Sequence, residues 1–306
     1  MPFPTPHLEK LHATLENEKL PKFDEPRIKT TIKQYRSWIE SLDSCYTKKD
    51  PALVLSALVK ELNFYKRSVE VDLVFDSKED FLYRQKGQLK LDNSIIEEFL
   101  PRLVHPSVIP EIDGLDVIAG PTTTFSSVYF VSSLDSPQIG AGLSIRTKDQ
   151  DFAISKKLFI KSSHNADFSE ASLKETRVAY VVAEVKTNLD KTMFQEACAT
   201  ANDVKSSVLG ARYFLLCEWL DMTPISTAPT DIDEVIILRK AKRLNSNVRK
   251  EFDTYARRQA KRADYIKYLE ANPIALEMVQ RFVDHIRKLI ANEIPVERDV
   301  LKQGFF

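Results

Sequence analysis

The chain has 306 residues, 44 basic and 44 acidic side chains and 43% hydrophobic residues, so it can bury a large core and is not disordered. Its three widely spaced cysteines argue against a disulfide framework and a cysteine-based zinc site. With 7 glycines and no G-x-x-x-x-G-K motif, a P-loop ATPase is disfavoured. The sequence contains no apolar run of membrane-spanning length and does not start like a secretory signal, so we expect a cytoplasmic protein without membrane contact.

The first part of the chain, residues 1–80, predicts a helical subdomain. Apolar residues keep helical spacing from Ile28 to Leu42. Asp50 and Pro51 form a cap and first-turn pair for a second amphipathic helix. The alternation of apolar residues from Val69 to Leu73 then predicts a short strand.

A central region, residues 81–245, predicts an α/β core in which a mixed sheet is flanked by helices. It opens with the polar link 83–88, which is either a solvent loop or a DNA contact through Arg84 and Lys86. Ser94 and Glu97 then form a capping box for a helix. The further predicted elements are strands at 115–119, 127–131, 178–186, 213–217 and 235–238, a lysine-rich hairpin at 156–161, and a helix from Met193 that ends at Gly210.

One strand of this core ends in Glu184 and Lys186, which project from the same face because side chains alternate along a strand. Acid-x-Lys also occurs at Asp76 and Asp203, but only Glu184 closes a run of strand-forming residues. A carboxylate beside the Val185 carbonyl can hold Mg²⁺, and the neighbouring ammonium can orient water or offset charge on a phosphodiester. The alternative is a simple ion pair at a strand end.

The last region, residues 246–306, predicts basic helices. From Arg239 to Lys267 the chain has eleven basic and three acidic side chains, a local net charge of +8. On a single helix, Arg258, Lys261 and Arg262 would line one stripe. This stripe is either a phosphate-contacting surface or a solvated helix face.

The order of these elements and the motif at 184–186 resemble the PD-(D/E)XK nuclease superfamily. Within it, residues 181–203 and 114–121 are similar to type II restriction endonucleases of the BbvCI-like group, which cut short asymmetric DNA sites with two different but related subunits. The resemblance covers residues 90–240. It implies Mg²⁺-dependent, sequence-specific hydrolysis of double-stranded DNA that leaves 5′-phosphates, by a homodimer or a heterodimer with a related subunit. The alternatives are a repair or junction-resolving nuclease of the same superfamily and an inactive DNA-binding subunit.

The resemblance also assigns roles to residues. Glu184 and Lys186 match the E-x-K pair, and Asp116 fits the first acidic residue best, with Asp113 as its rival. No proline precedes Asp116, which departs from the consensus. Asp116, Glu184 and the Val185 carbonyl would hold Mg²⁺, while Lys186 would position the attacking water.

Further candidates are less specific. Gln195 matches a glutamine that buttresses the site in related enzymes, although it also completes a capping box with Thr192. Glu97 matches an acidic residue that some members supply from the first core helix. Asp151 and Asp167 are the next acidic candidates if Asp116 fails. The basic candidates for DNA contact are Arg84, Lys86, Lys156, Lys157, Arg258, Lys261 and Arg262.

Overall fold

The structure is a computed structural model that describes residues 3–291, 301, 302 and 304. In these residues, ten α-helices surround one five-stranded sheet. Five helices precede the sheet: α1 Pro6–Leu15, α2 Glu25–Cys45, α3 Pro51–Arg67, α4 Phe81–Gln85 and α5 Asn93–Leu103. The strands are β1 Ile118–Phe130, β2 Leu143–Ser162, β3 Ser172–Leu189, β4 Arg212–Leu220 and β5 Glu234–Lys242. The remaining helices are α6 Lys191–Ser207, α7 Ser246–Lys250, α8 Tyr255–Ala260, α9 Arg262–Ala271 and α10 Leu276–Ala291.

The helices predicted near the start of the chain are confirmed. Helix α2 buries the apolar stripe from Ile28 to Leu42. The Asp50 side chain accepts a hydrogen bond from the Ala52 N–H at 2.8 Å, which caps α3 as predicted. The strand predicted from Val69 to Leu73 is wrong, since Ser68–Phe75 continues α3 as a π-helix. Most of this segment is buried and only Asp72 is exposed, so its apolar residues do not mark one face of a strand.

The sheet has the order β1-β2-β3-β4-β5, which confirms the predicted mixed α/β architecture. Strands β1, β2 and β3 are antiparallel, whereas β3, β4 and β5 are parallel. The strand patterns at 115–119 and 127–131 belong to one strand, β1, which begins at Ile118. The hairpin predicted at 156–161 is wrong, because these residues pair with β3 inside β2. The turn lies after Ser162 instead.

Helices cover both faces of the sheet. On one face, side chains of α3, α5 and α10 pack against β2 to β5, with Phe214 and Phe282 in edge-to-face contact at 5.3 Å, and α2 packs against α3. On the other face, α6 packs its alanines and Phe194 against β3 and β4. The Asp190 side chain caps α6 by accepting from the Met193 N–H at 2.9 Å. The capping box predicted at Thr192 is therefore wrong.

A buried ion network joins the first helices to the sheet. Lys66 of α3 lies 2.8 Å from Glu218 of β4, and Arg239 of β5 lies 2.9 Å from Glu70 in the π-helix. Arg239 also contacts Glu218 at 3.0 Å. Burial would lower the pKa of Arg239, but the charges of Glu70 and Glu218 outweigh it and raise that pKa. The four charges thus compensate one another across the boundary between helices and sheet.

The predicted domain limits, 1–80, 81–245 and 246–306, stay predictions. The third region is helical where it is described, from α7 to α10. Residues 292–300, 303, 305 and 306 lie outside the described residues.

Candidate active site

Glu184 and Lys186 form an ion pair near the carboxyl end of β3. The Lys186 Nζ lies 2.7 Å from Glu184 Oε1, and the two side chains are 26% and 17% exposed. Tyr213 of the adjacent strand β4 donates its hydroxyl hydrogen bond to Glu184 Oε2. Both glutamate oxygens are therefore held in place, while the ammonium still reaches solvent.

Asp151 of β2 joins this pair from the other side of β3. The register places Phe152 opposite Ala183, so Asp151 stands opposite Glu184. One carboxylate oxygen of Asp151 accepts the Val185 N–H at 2.9 Å. Two carboxylates, one ammonium and the backbone of Val185 thus meet where β2 and β3 adjoin.

Helix α5 supplies two more polar groups. The Asn93 side-chain N–H donates to the Val185 carbonyl at 3.0 Å and to Glu97 Oε1 at 2.7 Å. The helix begins at Asn93 and Ser94 lies inside it, so the capping box predicted for Ser94 and Glu97 is wrong. Glu97 instead faces the site through Asn93.

The charges at the site shift several pKa values. Burial raises the pKa of Asp151, and the negative charge of Glu184 raises it further, whereas the Val185 N–H and the Lys90 charge oppose the shift. Burial and the charge of Asp151 raise the pKa of Glu97. The site therefore holds closely spaced carboxylates whose negative charge favours a cation.

The Lys186 ammonium is stabilised in its charged form. Burial alone would lower its pKa, but the hydrogen bond and charge of Glu184 and the charge of Asp151 outweigh burial and raise that pKa. The charge of Glu196 on α6 acts in the same direction. Lys186 can consequently serve as a positive charge near a phosphate, and it is a poor proton acceptor at neutral pH.

The donor set fits a hard divalent cation such as Mg²⁺, which prefers oxygen ligands. Asp151 and Glu184 offer carboxylates, and Val185 offers its carbonyl. Asn93 has a buried Oδ1 with no hydrogen-bond partner among the described residues, so it is a further oxygen donor. In that same part of the chain, histidine, cysteine, aspartate and glutamate form no group of three placed to hold a metal by themselves.

The structure does not bring Asp116 to this pair. Asp116 lies in the exposed turn before β1, with a positive φ of 46°, and Asp113 is exposed in the same turn. Their neighbours Leu115 and Val117 line a cavity together with Lys156 of β2. Lys156 and Asp151 are five residues apart on this strand, a separation on the order of 15 Å. Asp151 occupies the place beside Glu184 that the sequence reasoning gave to Asp116.

Gln195 is also placed apart from the pair. It is exposed on α6, and the α6 residue whose charge acts on Lys186 is its neighbour Glu196. Asp167 is exposed in the turn between β2 and β3. Tyr213 and Asn93 were not predicted, because nothing in the sequence shows that β4 and α5 meet β3 here.

Comparison with known proteins identifies the family. The structure is similar to a chain of the solved native BbvCI A2B2 tetramer, with a TM-score of 0.62 and 20% sequence identity over 94% of this chain and 98% of that chain. No curated protein sequence matches the chain. The family model for the Bpu10I restriction endonuclease matches residues 88–306.

The chain belongs to the Bpu10I restriction endonuclease family.

Membership in the Bpu10I family makes the chain a restriction endonuclease, and it confirms the predicted resemblance to BbvCI-like enzymes. The described part of this Bpu10I-family chain contains no helix that is both long and apolar enough to cross a membrane.

A Bpu10I-family enzyme must contact DNA, and the structure separates the predicted basic candidates. Lys156 and Lys157 are exposed on β2, where Lys157 pairs with Glu175 at 3.1 Å. Arg84 and Lys86 line a cavity beside the active site. These four side chains remain accessible to a phosphate.

The predicted basic stripe does not form. Helix α8 ends at Ala260 and α9 begins at Arg262, so Arg258, Lys261 and Arg262 do not share one helix. Arg262 is held by Asp76 at 2.9 Å, and Lys261 is exposed. Arg258 is completely buried, so it is not available to DNA in this structure.

Arg258 has a structural role that predicts a measurable loss of stability. Its guanidinium donates to the carbonyls of Phe75, Ser77 and Phe252 at 2.8 to 3.1 Å and lies 3.0 Å from Asp80. We expect Arg258→Gln to lower the free energy of unfolding by about 2–4 kcal/mol, because it leaves buried acceptors unsatisfied. Urea unfolding would measure the loss.

The matched control is Arg257→Gln, since Arg257 is 61% exposed and, among the described residues, pairs with exposed Asp253 alone. This change should cost less than about 1 kcal/mol. Equal unfolding midpoints for the two variants would contradict the structural role of Arg258.

Proposed function

We propose that the chain is a subunit of a type II restriction endonuclease of the PD-(D/E)XK kind that hydrolyses phosphodiesters of double-stranded DNA at a specific sequence, with Mg²⁺, and leaves 5′-phosphates. The observation that carries the proposal is the meeting of Asp151, Glu184 and Lys186 around the Val185 backbone. Family membership supports the nuclease activity, and the donor set supports the metal.

Each residue of the site then has a chemical task. Asp151, Glu184 and the Val185 carbonyl would hold Mg²⁺. When bound, the ion lowers the pKa of a water molecule and polarises the phosphate. Lys186 orients the attacking water and offsets the negative charge that develops on the phosphate. Tyr213 fixes the orientation of the Glu184 carboxylate through its hydrogen bond.

We further propose that the subunit works in an assembly. Both ends of the long strand β2 lie close together, since Ser162 at its end donates to the carbonyl of Gly140, which precedes its start. Large apolar side chains are exposed on β2 and on the segments next to it: Tyr129, Phe130, Ile139, Phe159 and Leu173. The Gly140 N–H donates to the Glu170 carbonyl at 3.1 Å, which joins the two ends. Such patches mark protein contacts, and the structurally similar BbvCI is an A2B2 tetramer.

The test is digestion of supercoiled plasmid DNA by the purified chain, with Mg²⁺ or with a chelator, followed by sequencing of the DNA ends. We expect cleavage at one sequence in Mg²⁺ only. Cuts in both strands indicate a homodimer, whereas nicks in a single strand indicate that a related subunit cuts the other strand. Cleavage that is independent of sequence, or unaffected by the chelator, would overturn the proposal.

A further inference from the structure

A second site lies beside the candidate active site. A cavity of about 340 Å³ opens at the carboxyl ends of the parallel strands β3 and β4, between Thr187 and Trp219. Open α/β sheets bind ligands at such strand ends. Thr187 directly follows Lys186, and the cavity residue Asp92 directly precedes Asn93. The cavity and the active site therefore share the end of β3 and the start of α5, although Thr187 and Lys186 project from opposite faces of the strand.

The lining of the cavity is aromatic and charged. Tyr83, Trp219 and Tyr265 contribute aromatic rings. Arg84 and Lys86, both from the polar link, contribute positive charge, and the Lys86 Nζ lies 5.0 Å from the centre of the Tyr83 ring. Tyr268 already stacks on Trp219, and Phe75 stacks on Tyr265, so a planar base would stack on the partly exposed ring of Tyr83 and meet the free edges of the other two rings. The nearby cations suit the phosphates that flank the base.

One oxygen of a buried carboxylate in the cavity lacks a hydrogen-bond partner. Asp92 is only 7% exposed, and its Oδ1 has no hydrogen-bond partner among the residues that the structure describes. Glu70 and Tyr265 line the same cavity, and burial together with the negative charges of Glu70 and Asp92 raises the pKa of Tyr265 well above its usual value. An unpaired buried acceptor is costly, so it indicates a ligand that brings an N–H group.

We propose that this cavity receives one nucleobase of the substrate DNA, turned out of the duplex, and that it favours a base with an exocyclic amino group over thymine. The inference rests on the proposed function and adds a base-binding subsite to it. A base that remains stacked in the duplex presents only its edges, so it must leave the stack to reach these walls. The Asp92 carboxylate would then accept a hydrogen bond from the amino group, whereas the ring N–H of thymine lies between two carbonyl oxygens that would repel the carboxylate.

The experiment uses the Glu184→Gln variant, which keeps DNA uncut, in whichever subunit assembly cleaves the plasmid. Duplexes that contain the mapped site carry one abasic position at a time, and fluorescence anisotropy gives each dissociation constant. At the position opposite the extruded base, we expect binding to tighten at least about tenfold, because no base pair has to be broken. Replacing the extruded base with thymine should weaken binding by a similar factor.

Two cavity variants and one control link this effect to the cavity. Asp92→Asn should remove the preference for an amino-bearing base, because the amide can also donate to thymine. Tyr83→Ala should reduce the abasic gain, and Tyr83 is partly exposed, so this variant remains informative if Asp92→Asn does not fold. Asp135→Asn, in the exposed turn after β1, should change neither result.

The outcomes separate this inference from the proposed function. If the assembly binds no DNA, both fail. If it binds the site but no abasic position tightens binding, only the cavity proposal fails. A gain that persists unchanged in both cavity variants would show that DNA flexibility causes it, and this too would overturn the proposal.

Discussion

Replacing Glu184 with glutamine or Lys186 with alanine is expected to slow plasmid nicking at least about a thousandfold, because each change removes charge at the reacting phosphate. The pair is partly exposed, so its contribution to the free energy of unfolding should be about 1 kcal/mol or less. Initial nicking rates in Mg²⁺, together with thermal unfolding of each variant, would measure both quantities.

The matched control is Glu175→Gln on the same strand, β3. Glu175 is half exposed, and within the part of the chain that the structure describes its salt-bridge partner is Lys157, away from the site. This variant should nick at the wild-type rate. If folded Glu184→Gln or Lys186→Ala protein nicked DNA at nearly the wild-type rate, the assignment of these residues to the active site would be contradicted.

Asp151→Asn is expected to remove Mg²⁺-dependent cleavage, whereas Asp116→Asn should be tolerated. The structure places the Asp151 carboxylate beside Glu184, and only a charged oxygen binds a hard cation strongly. Asp116→Asn is a fair comparison because asparagine tolerates the positive φ of 46° at this turn. Nicking rates measured over a range of Mg²⁺ concentrations would compare the two variants.

Loss of cleavage in Asp116→Asn but not in Asp151→Asn would make Asp116 the first acidic metal ligand. The turn before β1 would then have to move toward β3 when DNA binds. Full activity of both variants would remove both aspartates from the metal site. Glu97 would then be the remaining carboxylate, since Asn93 links it to the Val185 carbonyl.

The sequence predicted those parts of the fold that local patterns determine. Helices α2 and α3 show apolar residues at helical spacing and, for α3, a capping aspartate. The buried part of β3 that leads to Glu184 also has a clear pattern, because β3 is covered on both faces there, although the strand continues to Leu189. The Glu184–Lys186 pair could consequently be recognised from sequence, and its catalytic role stays a prediction.

The other side of the site depends on pairing between strands, which no local pattern determines. Asp151 lies within a polar part of β2, and only the register between β2 and β3 places it opposite Glu184. Asp116 fits the sequence pattern of the first acidic ligand better than Asp151, because it precedes a recognisable strand. Arg258 shows the same limit, since its charge suggested a surface position while its burial depends on the carbonyls of Phe75 and Ser77.

The buried ion network has a consequence for how the chain folds during synthesis. Arg239 and Glu70 are 169 residues apart in sequence, so Lys66 and Glu70 leave the ribosome long before their partners in β4 and β5. Until those strands arrive, Lys66 and Glu70 can pair only with each other, at 3.6 Å, and lack the shorter contacts to Glu218 and Arg239 that compensate them when they are buried. The surface of the N-terminal helices that receives β4 and β5 therefore has to stay hydrated until then, and a fragment that stops before β5 should be prone to proteolysis.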